Sequence, residues 1–425
     1  MKEIKIKGAG ETVFEHTLKN GFRVYIWKYN LSEEVSLSLT VKYGSVHTKF
    51  KVGGQTYEVP KGIAHFLEHI KFNETKDMTA HDYYNKLGSY VNAYTTYDHT
   101  SYEVVCNENI KDNLNHLLYF VLNPFFTKRL IQKEKPIIIE EAKMVLNNPY
   151  NIGYDTLQKN LYIENNKKYL VTGMPEDIKS ITIEDAQNVF RNFYHPKNMF
   201  LTITGNVNPY EIEKIVDEYF NNQKFDKYSN PEIICKKELN EVVKKHDEVK
   251  TNVTKEKLLK SYKISKKSYK VFDDLHLRIL FNIIMDLNFG TTSEFNDYVI
   301  SNNLVDEIYY MVSVEEEQII ITFEISSSYP IEISKKLDEQ MNELNCLTED
   351  FERKKKVLIA STILGYEDAT DVNIDIRNSI IKYDKIIANM KDIFSEITFK
   401  DGEKIIELLK KYQTTEVILK PNSKM

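Results

Sequence analysis

The sequence predicts an α+β fold of two similar domains, each with a mainly antiparallel β-sheet and helices packed on one face. Three observations lead to this prediction. The chain has 425 residues, more than one hydrophobic core usually serves. Strand and helix patterns alternate in its first part, and a similar order of elements restarts after a polar stretch. We therefore predict an N-terminal domain over 1–222, a linker over 223–250 and a homologous C-terminal domain over 251–425.

The N-terminal half opens with segments in which apolar residues recur at every second position, the period of a strand. Segments with helical spacing follow, and Gly88 ends one of them, as glycine often does. In chain order these patterns predict strands at 23–27 and 35–41, helices at 62–72 and 80–87, and antiparallel strands at 90–96 and 101–105.

A long helix is predicted over 128–146, although it contains Pro136, a residue that helices tolerate best in their first turn. The half then continues with a helix at 183–193, a strand at 199–206 and a helix at 209–220. The Lys- and Glu-rich segment 236–267 is interpreted as solvated linker and the first helix of the second half. Beyond it we predict a helix at 277–286, a strand at 318–325, a helix at 331–344 and a strand at 417–419.

Composition excludes several classes of protein. The net charge of −6 argues against a nucleic-acid partner, which would favour a basic surface. The three cysteines are widely spaced, and they form neither a disulfide framework nor a thiolate metal site. The N-terminal sequence lacks the apolar run of a signal peptide, and no segment approaches the ~18 apolar residues of a membrane helix. These features predict a soluble cytoplasmic protein without a membrane span.

The segment 65–69 contains the candidate metal-binding and catalytic residues, because it has the H-x-x-E-H pattern of an inverted zinc-peptidase site. On a helix, His65 and His69 lie on one face, so both imidazoles can reach one metal ion. Glu68 lies beside them. A catalytic zinc site needs a third protein ligand and one open position.

The third ligand should lie on a separate helix. Glu134 and Glu141 are seven residues apart, two helical turns, and therefore share a face of the predicted helix over 128–146. Glu140 is an alternative to Glu141, but it lies ~100° around the helix, so only one of the two can face the metal.

The chain resembles the insulinase/pitrilysin family of zinc peptidases, which includes the mitochondrial processing peptidases and small bacterial members. The resemblance rests on segments 62–69, 88–95, 98–102, 194–196 and 205–206, together with Gly173 and the Glu134/Glu141 pair. It implies one Zn²⁺ per chain, held by His65, His69 and Glu141. It also implies that Glu68 is the general base for a zinc-bound water, and that Glu134 supports the site. Asp98 and His99 are interpreted as loop or supporting groups rather than ligands.

The same resemblance implies a zinc-dependent endopeptidase that acts on peptides or small unfolded polypeptides. A substrate would add a strand beside Asn92, Ala93 and Tyr94. By analogy with small bacterial relatives, the peptide could be ribosomally made. The alternative is a non-catalytic or peptide-binding subunit, but such members typically lack the zinc residues that are present here.

A second chain is also implied. The family encloses its substrate between two halves, and this chain has half the length of insulinase-type single chains. The family's Arg and Tyr of the second half correspond to Val299 and Asp306, so both are missing. We therefore expect a heterodimer with a non-catalytic homologue, rather than a homodimer.

Overall fold

A computed structural model describes residues 1–6, 11–366, 368–409 and 411–422. Within it the chain divides into two compact units, neither continuous in sequence. Unit 1 comprises Met1–Lys143, Leu170–Ile234 and Ser361–Met390, and unit 2 comprises Met144–Tyr169, Cys235–Ala360 and Lys391–Met425. The predicted domains are continuous segments of the chain, with boundaries at 222 and 250. The two units of the structure are not continuous, because each includes segments from both halves of the chain.

The strands form three sheets in the described residues. They are β1 (Lys2–Lys5), β2 (Thr12–Thr17), β3 (Arg23–Lys28), β4 (Val35–Val41), β5 (Lys49–Val52), β6 (Gln55–Glu58), β7 (Tyr90–Thr95), β8 (Thr100–Cys106), β9 (Met199–Gly205), β10 (Glu232–Ile233), β11 (His246–Thr251), β12 (Lys257–Ser265), β13 (Glu307–Val314), β14 (Gln318–Ser326) and β15 (Tyr412–Pro421). Their orders are β1-β2-β3-β9-β4-β8-β7, β10-β5-β6 and β11-β15-β12-β14-β13. The pairs β3/β9 and β11/β15 are parallel and the others antiparallel.

The α-helices connect and cover these sheets. They are α1 (Ile63–Lys71), α2 (Ala80–Leu87), α3 (Ile110–Leu122), α4 (Lys128–Asn147), α5 (Pro149–Leu161), α6 (Pro175–Ser180), α7 (Ile183–Phe193), α8 (Pro209–Asn221), α9 (Asp274–Phe289), α10 (Glu294–Ser301), α11 (Pro330–Asn342), α12 (Thr348–Leu364), α13 (Ala369–Tyr383), α14 (Met390–Glu396) and α15 (Phe399–Leu408). No helix in the described ranges combines the length and apolar character needed to cross a bilayer.

The predicted α+β class is confirmed, with two mostly antiparallel sheets of seven and five strands. The predicted elements of the first half each have a counterpart, and β4 and α2 have the predicted bounds. Gly88 ends α2 with a φ of 68°, a backbone conformation that glycine adopts without a steric penalty. β7 and β8 pair antiparallel, as predicted.

In unit 1, helices cover both faces of the seven-stranded sheet, whereas the prediction placed them on one. The main core lies between the sheet and helices that include α1, α3 and α7. Helix α13, from late in the chain, packs on the opposite face of β4 and β9. Its Asn373 donates to the carbonyl of Ser36 at 2.9 Å, and its Arg377 forms an ion pair with Glu103.

The predicted helix at the start of the second half is wrong. The segment forms β11 and β12, and only Lys266–Tyr269 is a short 3-10 helix. Lys260 and Lys263 lie on β12 and are buried, because Asp338 and Glu238 accept hydrogen bonds from them at 2.7 Å each. Lysine is usually exposed, so a buried strand whose lysines are paired with carboxylates resembles a solvent-exposed segment when only its sequence is considered.

The long helix predicted over 128–146 is present as α4, which continues past Pro136 although this residue lies in its interior. Part of the predicted linker is also ordered, since β10 pairs with β5 and β11 pairs with β15.

Candidate metal centre

The position of α1, which carries the two histidines, is set by close backbone packing at its start. Gly62 precedes the helix with a φ of 79°. A Cβ added there would lie 2.4 Å from the carbonyl oxygen of Thr172 and 2.9 Å from the Cα of Gly173. Only glycine meets both the conformational and the steric demand. The first turn of α1 is therefore held against the segment before α6.

Lys71 anchors the other end of α1. Its side chain is buried, and its Nζ donates to the carbonyl of Asn123 at 2.9 Å and lies 4.9 Å from the ring centre of Phe190. Burial holds the pKa of Lys71 well below its ordinary value. Both ends of the histidine helix are thus fixed within unit 1.

Three potential metal ligands converge between α1 and α4. The Nε2 atoms of His65 and His69 lie 3.5 Å and 3.1 Å from the two carboxylate oxygens of Glu141. One ligand atom from each of the three residues lies within 4.8 Å of the others. The sequence predicted this set, and the structure brings all three residues together.

Charge at this centre favours a cation. Burial alone would lower the pKa of His69, but Glu141, with smaller effects from Glu68 and Glu134, raises it above its ordinary value. Hydrogen bonds from His65 and His69 hold the pKa of Glu141 well below its ordinary value, against the opposing effect of burial. Negative charge from three carboxylates is therefore concentrated around the imidazole of His69, and a bound cation would stabilise this arrangement.

Glu140, the alternative ligand, points away from the centre. Its side chain is 68% exposed, and it accepts a hydrogen bond from Lys143 at 2.6 Å. Glu134 is buried on the same helix, and its charge reaches His69. The two-turn spacing thus placed Glu134 and Glu141 on the same side of α4, as predicted, while the supporting role of Glu134 stays a prediction.

Glu68 lies on the buried side of α1, 7% exposed. Its Oε2 accepts a hydrogen bond from the hydroxyl of Thr95 on β7, at 2.6 Å. The carboxylate therefore lies between the histidine helix and the sheet.

The predicted substrate residues lie on β7, which is the edge strand of the seven-stranded sheet. Register determines their faces, since residues paired across two strands share a face. Ala93 pairs with Tyr102, which is buried in the core beneath α1, so Ala93 lies on the same face as the histidine helix. Asn92 and Tyr94 lie on the opposite face, where Arg377 approaches the ring centre of Tyr94 to 5.0 Å.

Other polar groups near the motif have structural partners. His99, in the turn between β7 and β8, lies 2.6 Å from Asp98 and 2.9 Å from the hydroxyl of Thr96. It is not part of the convergent ligand set.

The two positions aligned with the family's Arg and Tyr lie in unit 2. Val299 is buried within α10, and Asp306 accepts hydrogen bonds from Lys255 at 2.7 Å.

The donor set fits zinc. Two imidazole nitrogens and one carboxylate are a common ligand set of catalytic zinc, and they leave a position for water. With Nε2 as the ligand atom of His65, Nδ1 carries the proton. This Nδ1 is buried and has no hydrogen-bond partner among the described residues, unlike most metal-bound histidines.

Sequence reasoning missed two residues of the centre. The alternation of the strand predicted at 90–96 places Thr95 on the same face as Ala93, facing α1, but the predicted site residues on this strand ended at Tyr94. Lys71 carries no signal in the sequence, because a lysine at a helix end is usually exposed.

Comparison with known proteins finds the same motif-bearing region in one family. Residues 26–173 match the model described as Insulinase (Peptidase family M16), and residues 180–358 match the Peptidase M16 inactive domain. An uncharacterized zinc protease of Bacillus subtilis (strain 168), YmfH, is 32% identical over 73% of this chain and 72% of its own length. The mitochondrial-processing peptidase subunit beta of Caenorhabditis elegans is 30% identical over 48% of this chain and 43% of that subunit.

Solved structures share the fold. An M16-like peptidase from Alicyclobacillus acidocaldarius superposes with a TM-score of 0.90 at 23% identity, covering 97% of this chain and 99% of that one. A protease from Helicobacter pylori superposes with a TM-score of 0.79 at 20% identity, covering 96% of this chain and 99% of that one.

Proposed function

Since the chain belongs to the insulinase family of peptidases, family M16, we propose that it is a zinc-dependent endopeptidase. Its substrates are peptides or small unfolded polypeptides. The observation that carries this proposal is the convergence of His65, His69 and Glu141 beside the buried carboxylate of Glu68.

His65, His69 and Glu141 would hold the zinc ion. When bound, the ion supplies Lewis acidity, which lowers the pKa of water and polarises a peptide carbonyl. Glu68 accepts the proton of the attacking water and delivers it to the leaving amine. It can do so because it lies on α1 next to the ligands without belonging to the convergent set. Glu134 adds negative charge near His69 and supports the cation from α4.

The substrate binds in extended form along β7. An edge strand offers unpaired backbone groups, so a peptide can add a strand beside it. Its side chains would alternate between the face of Ala93, toward α1, and the face of Asn92 and Tyr94. Main-chain hydrogen bonds give little sequence selectivity, so length and flexibility decide which peptides are cleaved.

Removal of the metal tests the proposal directly. We expect a chelator to lower the cleavage rate of a quenched fluorescent peptide library at least about a hundredfold, because water loses its activation. Zinc at one equivalent per chain should restore the rate, whereas Mg²⁺ should not, since two imidazoles suit zinc. Cleavage that persists in metal-free protein would contradict a zinc peptidase. Bound zinc without cleavage would favour the binding-only alternative.

We also propose that the active form is a heterodimer with a non-catalytic homologue. Support comes from Val299 and Asp306, which are aligned with the family's Arg and Tyr. The Val299 side chain is buried, and the Asp306 carboxylate accepts a hydrogen bond from Lys255, so a second chain would have to supply the Arg and Tyr. Mass measurement in solution, with and without a candidate homologue, should show a 1:1 pair with higher activity than the chain alone. Full activity of a pure homodimer would contradict the pairing.

A role in processing a ribosomally made peptide in the cytoplasm is the more specific form of the proposal. It is supported by the low cysteine count and by analogy with small bacterial relatives. Peptide profiles of cells with the intact protein and with an inactive variant would test it, and identical profiles would argue against it.

A further inference from the structure

We infer that Thr95 is a positioning residue for Glu68, an inference that rests on the proposed peptidase function. The hydroxyl of Thr95 donates to Oε2 of Glu68 at 2.6 Å. Among the described residues, no other donor forms a hydrogen bond with this carboxylate. The nearby phenols of Tyr102 and Tyr194 bond to each other instead, at 2.9 Å.

The sheet fixes the position of this donor. Thr95 pairs in register with Thr100, whose hydroxyl donates to the carbonyl of Tyr43 at 3.0 Å. The backbone N–H of the next residue, Thr96, donates a hydrogen bond to the carbonyl of His99 at 2.8 Å. The carbonyl of Thr96 accepts a hydrogen bond from the backbone N–H of Ser45 at 3.0 Å. Threonine is also branched at Cβ, which restricts rotation about χ1. The hydroxyl therefore has a defined location relative to α1.

One oxygen of Glu68 is held, and the other stays available. A hydroxyl carries a single proton, and Thr95 donates it to Oε2. Oε1 is then the atom that can accept the proton of a water molecule. Without the hydroxyl, the Glu68 side chain could rotate, and fewer molecules would hold the carboxylate in the productive orientation.

The contrast with the opposite face of the sheet offers a matched control. Thr40 on β4 is fully buried and forms a hydroxyl–hydroxyl bond with Ser101 at 3.0 Å. Thr40 pairs with Ser101, which lies on the face away from α1 together with Tyr94. Thr40→Val thus removes a buried hydroxyl from the same sheet without reaching Glu68.

The experiment compares Thr95→Val, Thr95→Ser and Thr40→Val in whichever assembly of the protein is active. For Thr95→Val we expect kcat to fall about 10- to 100-fold, the loss of one hydrogen bond to a charged group, with KM and zinc content unchanged. Thr95→Ser should recover most of kcat, and Thr40→Val should leave kcat within about twofold of the unsubstituted protein.

Three outcomes would overturn the inference. These are equal kcat values for Thr95→Val and Thr40→Val, a Thr95→Ser variant as slow as Thr95→Val, or loss of zinc from Thr95→Val. If Thr95→Val does not fold, Thr95→Ala compared with Thr95→Ser gives the same test. Failure of the peptidase proposal itself would appear separately, as unsubstituted protein that binds zinc but cleaves no peptide in any assembly.

Discussion

Glu68→Gln is expected to lower kcat for peptide cleavage by about 10²- to 10⁴-fold, the usual contribution of a general base. The amide has nearly the shape of the carboxylate, and it can still accept the hydrogen bond from Thr95. It cannot take a proton from water near neutral pH. Because Glu68 is not among the convergent ligands, zinc content should stay at one ion per chain. Single-turnover cleavage and metal analysis of the same sample would measure both quantities.

Glu58→Gln is the matched control for this change. Glu58 is also in unit 1, but its carboxylate is 71% exposed and pairs with Lys49 at 2.8 Å. Its substitution should leave kcat within about twofold of the original value, as for most exposed positions. Full activity of Glu68→Gln would remove the general base from the mechanism. Loss of zinc from Glu68→Gln would instead identify Glu68 as part of the metal shell.

Glu141→Gln is expected to weaken zinc binding at least about a hundredfold. Outer partners of metal ligands already contribute 10- to 100-fold to affinity, so a ligand itself should contribute no less. The neutral amide also removes the charge that faces both imidazoles at 3.1–3.5 Å. Competition with a fluorescent zinc chelator would measure the affinity, and cleavage should recover in part at high zinc concentration.

The neighbouring position gives a control one residue away. Glu140→Gln changes the same functional group on the same helix, but Glu140 faces solvent and bonds to Lys143. It should keep the zinc affinity of the unsubstituted chain. If Glu140→Gln weakened zinc binding as much as Glu141→Gln, the orientation of α4 at the centre would be wrong.

Much of the fold and of the centre could be predicted because the information is local. The period-2 pattern of 35–41 coincides with β4, and the helix signals of 80–87 coincide with α2. The histidine pair needs only one helical turn, and the choice between Glu140 and Glu141 follows from the two-turn spacing to Glu134. These are short-range rules of helices and strands.

What could not be predicted depends on residues far apart in sequence. Lys263 is buried on β12 only because Glu238 accepts its hydrogen bond and the carbonyl of Leu161 accepts another at 2.8 Å. Neither partner is adjacent in the chain, so the segment looks like a solvated linker. Likewise, Thr95 gains its importance from the approach of α1 to β7, a tertiary contact that no local pattern contains.

Unit 1 is built from segments that are far apart in the chain, which constrains how the protein folds during synthesis and how it can be divided into fragments. Its seven-stranded sheet receives Asn373 and Arg377 from α13, whereas all other segments of the unit end by Ile234. A ribosome must therefore translate more than a hundred further residues before the sheet can receive its last helix. A fragment that ends in 223–250 carries every residue of the candidate metal centre yet lacks that helix. A cut there separates α13 from the sheet that it covers, so unit 1 can be completed only when both fragments are expressed together.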